Sequence, residues 1–260
     1  MHILLSNDDG VYAPGIWALA EALKDIAELT IVAPDRHLSG AGFSISTYAP
    51  VKLNEVPSRM EGVRTYSVEG TPADAVLIGL RVVAKGADLV MAGINDGSNM
   101  SSNIMASGTV GAALQAQILG VPGISMSVTS AKDPPYGPSA RVARELAGIF
   151  LERGIHEPLL LNVNVPAVPV EDIRGAEMTI PAFSTYKDDV VKKAKSDKFD
   201  TYWLVRNSLN WDYAQGTDAG AVRNNHISMA LLNFGMALPP PAKLLDGVAP
   251  RVFQALSRGR

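Results

Sequence analysis

An α/β fold, with a mostly parallel sheet covered by helices on both faces, is what this sequence predicts. Two observations carry that prediction. Short apolar runs alternate with amphipathic stretches of helical period as far as Pro166, the pattern of successive right-handed βαβ units. With 260 residues, 47% apolar and 19% charged, the chain is long and apolar enough to bury roughly three quarters of its unfolded surface.

The elements follow in order. Ile3-Leu4-Leu5 is a short strand ending in Ser6-Asn7-Asp8-Asp9-Gly10, and Ile16, Leu19, Ala20, Leu23 and Ile26 mark one face of a helix. A second strand spans 29–33 and stops at Pro34; a loop rich in Gly and Ser runs from 35 to 47. A third strand covers 63–68. Thr71-Pro72-Ala73-Asp74 then supplies an N-cap, a proline at the first helical position and an early acid. The helix it opens, 75–84, is apolar nearly all round and is expected to be buried. A strand at 88–94 precedes a helix at 107–119 closed by Gly120 and Pro122, and a strand at 124–128 follows. Val142, Ala143, Leu146, Ile149 and Phe150 mark another helical face before a strand at 159–165.

The organisation changes after Pro181, which divides the chain into a core over 1–180 and an extension over 181–260. Lys187, Lys192, Lys193, Lys195 and Lys198 mix with Asp188, Asp189, Asp197 and Asp200 ahead of Tyr202-Trp203-Leu204-Val205. The mixed signs favour a solvated excursion, a long hairpin, over a polyphosphate-binding patch. Gly216-Thr217-Asp218 opens a short helix and 227–232 is a strand. After Pro239-Pro240-Pro241 comes an amphipathic helix with Leu244, Leu245, Val248, Val252, Phe253 and Leu256 apolar. Such a helix needs a surface to cover, in its own core or in another subunit.

Composition narrows the function classes. Twenty-three basic against 26 acidic residues give a net charge of −3, too little positive field for a nucleic-acid polymer. The absence of cysteine removes disulfides, thiolate metal sites and cysteine nucleophiles. No long apolar run or targeting signal is visible, so the expectation is a soluble, cytoplasmic protein without a membrane span. Neither a dinucleotide fingerprint, a P-loop nor a Gly-x-Ser-x-Gly elbow is present. His2, His37, His156 and His226 lack metal-ligand spacing; His37, in a candidate site loop, reads as a surface loop histidine ahead of a proton shuttle or phosphate contact.

Ligands of parallel sheets bind beyond the carboxyl ends of the strands, and polar residues gather at three of those ends. Adjacent Asp8 and Asp9 place two carboxylates at one strand mouth, where they repel unless a cation or a proton intervenes. Asn-Asp-Asp-Gly is also good turn chemistry, and that alternative stands beside the first. Ser39 adds a hydroxyl and Asn95 an amide oxygen; with Asp8 and Asp9 they would form an all-oxygen shell suited to Mg²⁺ or Mn²⁺ more than Zn²⁺. Individually, Ser39 and Asn95 also read as loop caps. Ser107-Gly108-Thr109-Val110-Gly111 opens a helix with little side-chain bulk, a receptor for phosphate or carboxylate or simply a capped, tightly packed helix start.

Taken together, Ile3-Leu4-Leu5-Ser6-Asn7-Asp8-Asp9-Gly10, Ala33-Pro34-Asp35-Arg36 leading to Ser39-Gly40, Gly93-Ile94-Asn95-x-Gly97-x-Asn99 and Ser107-Gly108-Thr109-Val110-Gly111-Ala112-Ala113 resemble the stationary-phase survival protein SurE family. Leu161-Asn162-Val163-Asn164-Val165-Pro166 and Gly216-Thr217-Asp218-x-x-Ala221-Val222 extend the resemblance. It implies a Rossmann-like three-layer sandwich with a C-terminal arm and helix exchanged between subunits of a homodimer or tetramer. It also implies a divalent-metal-dependent phosphomonoesterase of nucleoside 5′- and 3′-monophosphates, in some members also of short polyphosphate. One metal ion per subunit falls on Asp8, Asp9, Ser39 and Asn95, and phosphate contacts fall around Gly40, Asn95, Ser107, Gly108 and Thr109. Leu114-Gln115-Ala116, Asn225-His226 and Ala230-Leu231 depart from the family pattern; none of these removes a metal ligand.

In the direct hydrolysis expected on this basis, Asp8 or Asp9 orients or deprotonates water, and Asn95 with the helix start stabilises the phosphate oxygens. A nucleoside hydrolase would release base and ribose instead. A non-catalytic metal- and nucleotide-binding stress protein would bind without releasing phosphate.

Overall fold

The structure is a computed structural model, and it describes residues 1–129, 133–185, 188–195, 200–206 and 210–233. The expected C-terminal helix, with Leu244 to Leu256, lies outside the described residues, as do Lys187, Asp197 and Lys198.

The chain runs β1 (His2–Ser6), α1 (Pro14–Leu23), β2 (Glu28–Pro34), β3 (Leu53–Glu55), β4 (Arg64–Val68), α2 (Pro72–Ile78) and β5 (Leu89–Asp96). Then come α3 (Gly108–Ile118), β6 (Gly123–Val128), α4 (Tyr136–Arg153), β7 (Leu160–Val165) and β8 (Gly175–Met178). The remainder is β9 (Ser184–Thr185), β10 (Asp188–Lys195), β11 (Asp200–Arg206), β12 (Asn210–Trp211), α5 (Asp218–Arg223) and β13 (His226–Leu232).

Local chemistry explains the helix starts. Pro14 opens α1, where its missing N–H has no intrahelical partner to lose. Thr71 and Asp74 form a reciprocal capping box on α2, with Pro72 between them. Ser107 Oγ accepts from the Val110 N–H at 3.1 Å and caps α3. The expected helix over 75–84 is only partly buried: beyond Ile78 the backbone widens into a π turn, Gly79–Val83, and Val82 is exposed.

The main sheet has nine strands in the order β3-β4-β2-β1-β5-β6-β7-β13-β8. From β4 to β7 every neighbouring pair is parallel, and both faces are covered, as the continuous apolar runs require. Ile3 and Leu5 face a layer made by α1 and α4, with Leu19, Leu23, Ala143 and Phe150. Leu4 and Val32 face α2 and α3, with Val76, Val110 and Ala113. After β1 the chain builds outward through β2 and β4 on one side, then through β5, β6 and β7 on the other. The order therefore reverses between β1 and β5, and a crevice opens at their carboxyl ends.

The expected hairpin is present as β10 and β11, antiparallel with a bulge between Lys192 and Ala194. β9 pairs with β12. The chain then returns to the sheet, where β13 lies antiparallel to β7 and parallel to β8. Among the described residues, no helix is long and apolar enough to cross a membrane.

Candidate functional site

The crevice at the strand reversal holds a cleft of about 430 Å³ lined by Asp8, Ser39, Gly40, Asn95, Asp96 and Ser107, among others. Its floor is the turn after β1. Asn7, itself buried, accepts from the Gly10 N–H at 3.1 Å and donates to the Gly10 carbonyl at 2.9 Å. Gly10 has φ of +105°, a conformation in which a side chain would be strained. Asn7 and Gly10 make the turn, which leaves the Asp8 carboxyl on the cleft wall; Asp9 does not line the cleft and stands beside Asp8, Asp96 and His37.

Asp8 is 2% exposed. Its Oδ1 accepts from Thr109 Oγ1 at 2.5 Å, and the same hydroxyl lies 3.2 Å from Asn95 Oδ1. The Asn95 amide has its orientation set by a bond from Nδ2 to the Gly97 carbonyl at 2.8 Å. Asn95 is delivered by the end of β5, where pairing with β6 shifts register between Ala92 and Asn95, and such an irregularity re-aims side chains at a strand end. Gly108 allows the approach of α3: a Cβ there would stand 2.7 Å from Asp8 Cβ.

Asp9 carries its own partner, with Oδ1 at 3.1 Å from His37 Nδ1. Burial, with Asp8 and Asp96 as like-charged neighbours, pushes its carboxyl up to about 6, while His37 acts in the opposite sense. Burial also raises the Asp8 carboxyl above its ordinary value, against the bonds from Thr109. Among the described residues, His37 is the only basic side chain paired with either carboxylate.

Ser39 and Gly40 lie on the exposed rim, where the 35–42 loop is drawn in by the Leu38 N–H to the Asp8 carbonyl at 2.7 Å and by the Gly42 N–H to the Ala106 carbonyl at 3.0 Å. Ser107 lines the cleft, whereas Thr109 is fully buried behind it against Asp8. The helix start therefore serves two ends, since Thr109 is spent on Asp8 and Ser107 faces the open space.

Sequence reasoning missed two participants. Asp96, the unspecified position between Asn95 and Gly97 in the motif, lines the cleft near Asp9, and its place directly after Asn95 was a usable signal. Tyr136, at the start of α4, donates its hydroxyl to Asp96 Oδ1, and its own ionisation is pushed well above the ordinary range by burial and by Asp96 and Asp9. Nothing in its sequence neighbourhood indicated that contact.

The donor set fits a hard divalent cation. Among the described residues, no three His, Asp or Glu side chains gather into a metal cluster, so Asp8 and Asp9 would need the neutral oxygens of Ser39 and Asn95 to complete a shell. Two neighbouring carboxyls whose charged forms are disfavoured by burial are the electrostatic complement of such an ion.

Comparisons with known proteins give the family of the chain. Residues 3–188 match the family model described as survival protein SurE. The chain is 38% identical over 238 residues to the 5′-nucleotidase SurE of Geobacter sulfurreducens, covering 91% of this chain and 89% of that one. It is 38% identical over 248 residues to the 5′-nucleotidase SurE of Vibrio cholerae serotype O1, covering 95% and 96%. The crystal structure of the SurE protein from Aquifex aeolicus superposes with a TM-score of 0.79 at 35% identity, over 96% of this chain and 100% of that one.

Proposed function

This chain belongs to the survival protein SurE family, and we propose that it is a nucleoside monophosphate phosphatase, a 5′-nucleotidase, working with one Mg²⁺ or Mn²⁺ ion per subunit. Nucleoside 3′-monophosphates and short polyphosphate belong to the same proposal as further substrates, as does assembly into a homodimer or tetramer. The observation that carries the metal-dependent reading is the meeting of Asp8, Asn95 and Thr109 at the strand reversal, with Asp9 alongside.

Asp8, Asp9, Ser39 and Asn95 would hold the ion. When bound, it supplies positive charge to a phosphate oxygen and makes a water more acidic. The remaining roles fall to the chain itself. A carboxylate oxygen of Asp9 orients the attacking water and takes its proton. Ser107 Oγ accepts from the Val110 N–H and so keeps its hydroxyl hydrogen for a phosphate oxygen. Gly40, with φ of +82° and open space about it, lets main chain approach the phosphate without a side chain between. The first N–H groups of α3 add their positive end to the same oxygens.

The test is phosphate release from nucleoside 5′- and 3′-monophosphates with Mg²⁺, Mn²⁺ or EDTA. Metal-dependent release that EDTA abolishes is the expected result. Release of free base and ribose without phosphate, or no turnover with either ion, would overturn the reading.

A further inference from the structure

The loop that leaves β5 runs along the cleft, and its residues Gly97, Ser98 and Asn99 line it. Asn99 is only 7% exposed, so its main-chain groups need partners that water does not provide. The carboxamide of Asn164, on β7, stands in for a strand. Its Oδ1 accepts from the Asn99 N–H at 2.8 Å, and its Nδ2 donates to the Asn99 carbonyl at 3.0 Å. Asn162, on the same face of β7, donates its Nδ2 to that carbonyl at 2.8 Å, and its Oδ1 accepts from Ser125 Oγ at 2.8 Å. The Asn99 Nδ2 donates to Ser127 Oγ at 2.9 Å.

This residue choice is chemically narrow. A carboxamide presents a donor and an acceptor side by side, as a peptide group does. A carboxylate would set oxygen against the Asn99 carbonyl, and an aliphatic side chain would orphan the Asn99 N–H and leave its carbonyl to Asn162 alone. Asn162 and Asn164 are both fully buried in the sheet, so such a polar pair needs a reason beyond packing.

Between the clamp and the acid cluster lies the short run of main chain from Asn99 back to Gly97. The Gly97 N–H donates to the Val128 carbonyl at 3.0 Å, and the Gly97 carbonyl accepts from Asn95 Nδ2 at 2.8 Å. That second bond turns Asn95 Oδ1 toward Thr109 and Asp8. Without it, half a rotation of the amide would present N–H to a cation instead of oxygen. We infer that Asn164, seconded by Asn162, is a positioning residue that fixes Asn99 and thereby holds the Asn95 amide oxygen toward the metal position, an assignment that rests on the metal-ligand reading of Asn95 above.

The test titrates Mn²⁺ alone calorimetrically into metal-free wild type, Asn164→Ala, Asn162→Ala and a core control, Leu146→Ala on α4. Asn164→Ala is expected to bind Mn²⁺ about tenfold more weakly or worse, the scale of lost outer-shell support. Asn162→Ala, which removes a single bond to Asn99, is expected to lose less, and Leu146→Ala to bind as wild type. Raising Mn²⁺ should restore phosphate release in Asn164→Ala, a rescue that a general loss of stability would not show. Should Asn164→Ala fail to fold, Asn162→Ala decides by the same measurement. Folded Asn variants that bind Mn²⁺ as tightly as wild type overturn the positioning role and leave the metal reading intact. Wild type that binds no Mn²⁺ overturns both.

Discussion

At the residue scale, Asp9 is asked to do something that its surroundings resist. Its carboxyl titrates near 6 because burial and the charges of Asp8 and Asp96 oppose ionisation, so the folded protein without metal is penalised for charging it. An acid whose folded value lies above its unfolded 3.8 costs stability fully above about pH 6, and the cost fades as pH falls toward 3.8. Asp9→Asn should therefore abolish phosphate release and yet stabilise the metal-free protein, by on the order of 1–2 kcal/mol at pH 8 after allowance for residual solvent. Urea unfolding in EDTA at pH 8 and pH 5 checks this, and the gain should shrink at the lower pH. A variant that is less stable than wild type at pH 8 would show that Asp9 is not under electrostatic strain.

The same scale shows how far the sequence could be read. Asp8, Asp9 and Asn95 announced themselves because each follows a strand whose end has to open on the ligand side of a parallel sheet. Asp96 was visible but ambiguous, as an acid after a strand is more often solvated than placed beside other acids. Tyr136 and the Asn162–Asn164 clamp depend on contacts between segments far apart in the chain, which no local pattern encodes.

At the scale of elements, the capping box of α2 does more than start a helix. The Asp74 carboxylate accepts from the Thr71 N–H at 2.9 Å, the Ser46 N–H at 2.9 Å and Ser46 Oγ at 2.7 Å. Thr71 Oγ1 in turn donates to the Ser44 carbonyl at 2.6 Å, so the loop beyond Ser39 and Gly40 is pinned to the helix start. Burial alone would raise the Asp74 carboxyl, but the bonds from Ser46 and Thr71 outweigh it and hold the group below its ordinary 3.8. A depressed acid stabilises the fold above its unfolded value, and that contribution is lost as pH falls through the folded value. Asp74→Ala should cost about 1–2 kcal/mol at pH 7, with the difference from wild type closing well below pH 3.8. Parallel denaturant melts at the two pH values test this; a deficit that persists unchanged in acid would assign it to packing. The box was legible in Thr71-Pro72-Ala73-Asp74, whereas β3 and β8 were not. These short edge strands have burial patterns with few or no buried positions, and only their neighbours in the sheet make them strands.

At the scale of the whole molecule, the core and the hairpin obey different rules. The core closes its apolar surface within one chain, through α1 and α4 on one face and α2 and α3 on the other. The hairpin does not. On β11, Trp203 is 62% exposed and Leu204 77%, side chains on opposite faces of the strand, and Val190 across from Leu204 is exposed as well. A two-stranded ribbon is marginal in water by itself, and large apolar side chains on both of its faces call for a covering surface. In the homodimer or tetramer proposed above, a second copy of the chain would supply one. Light scattering at micromolar concentration should then give at least twice the 27.5 kDa chain mass, and Trp203→Asp combined with Leu204→Asp should lower it toward one chain. Since Asp8, Asp9, Asn95 and Ser107 all come from one chain, phosphate release per chain should survive that change. A monomeric wild type would remove the covering role from the hairpin, and loss of activity on dissociation would mean that the partner completes the site.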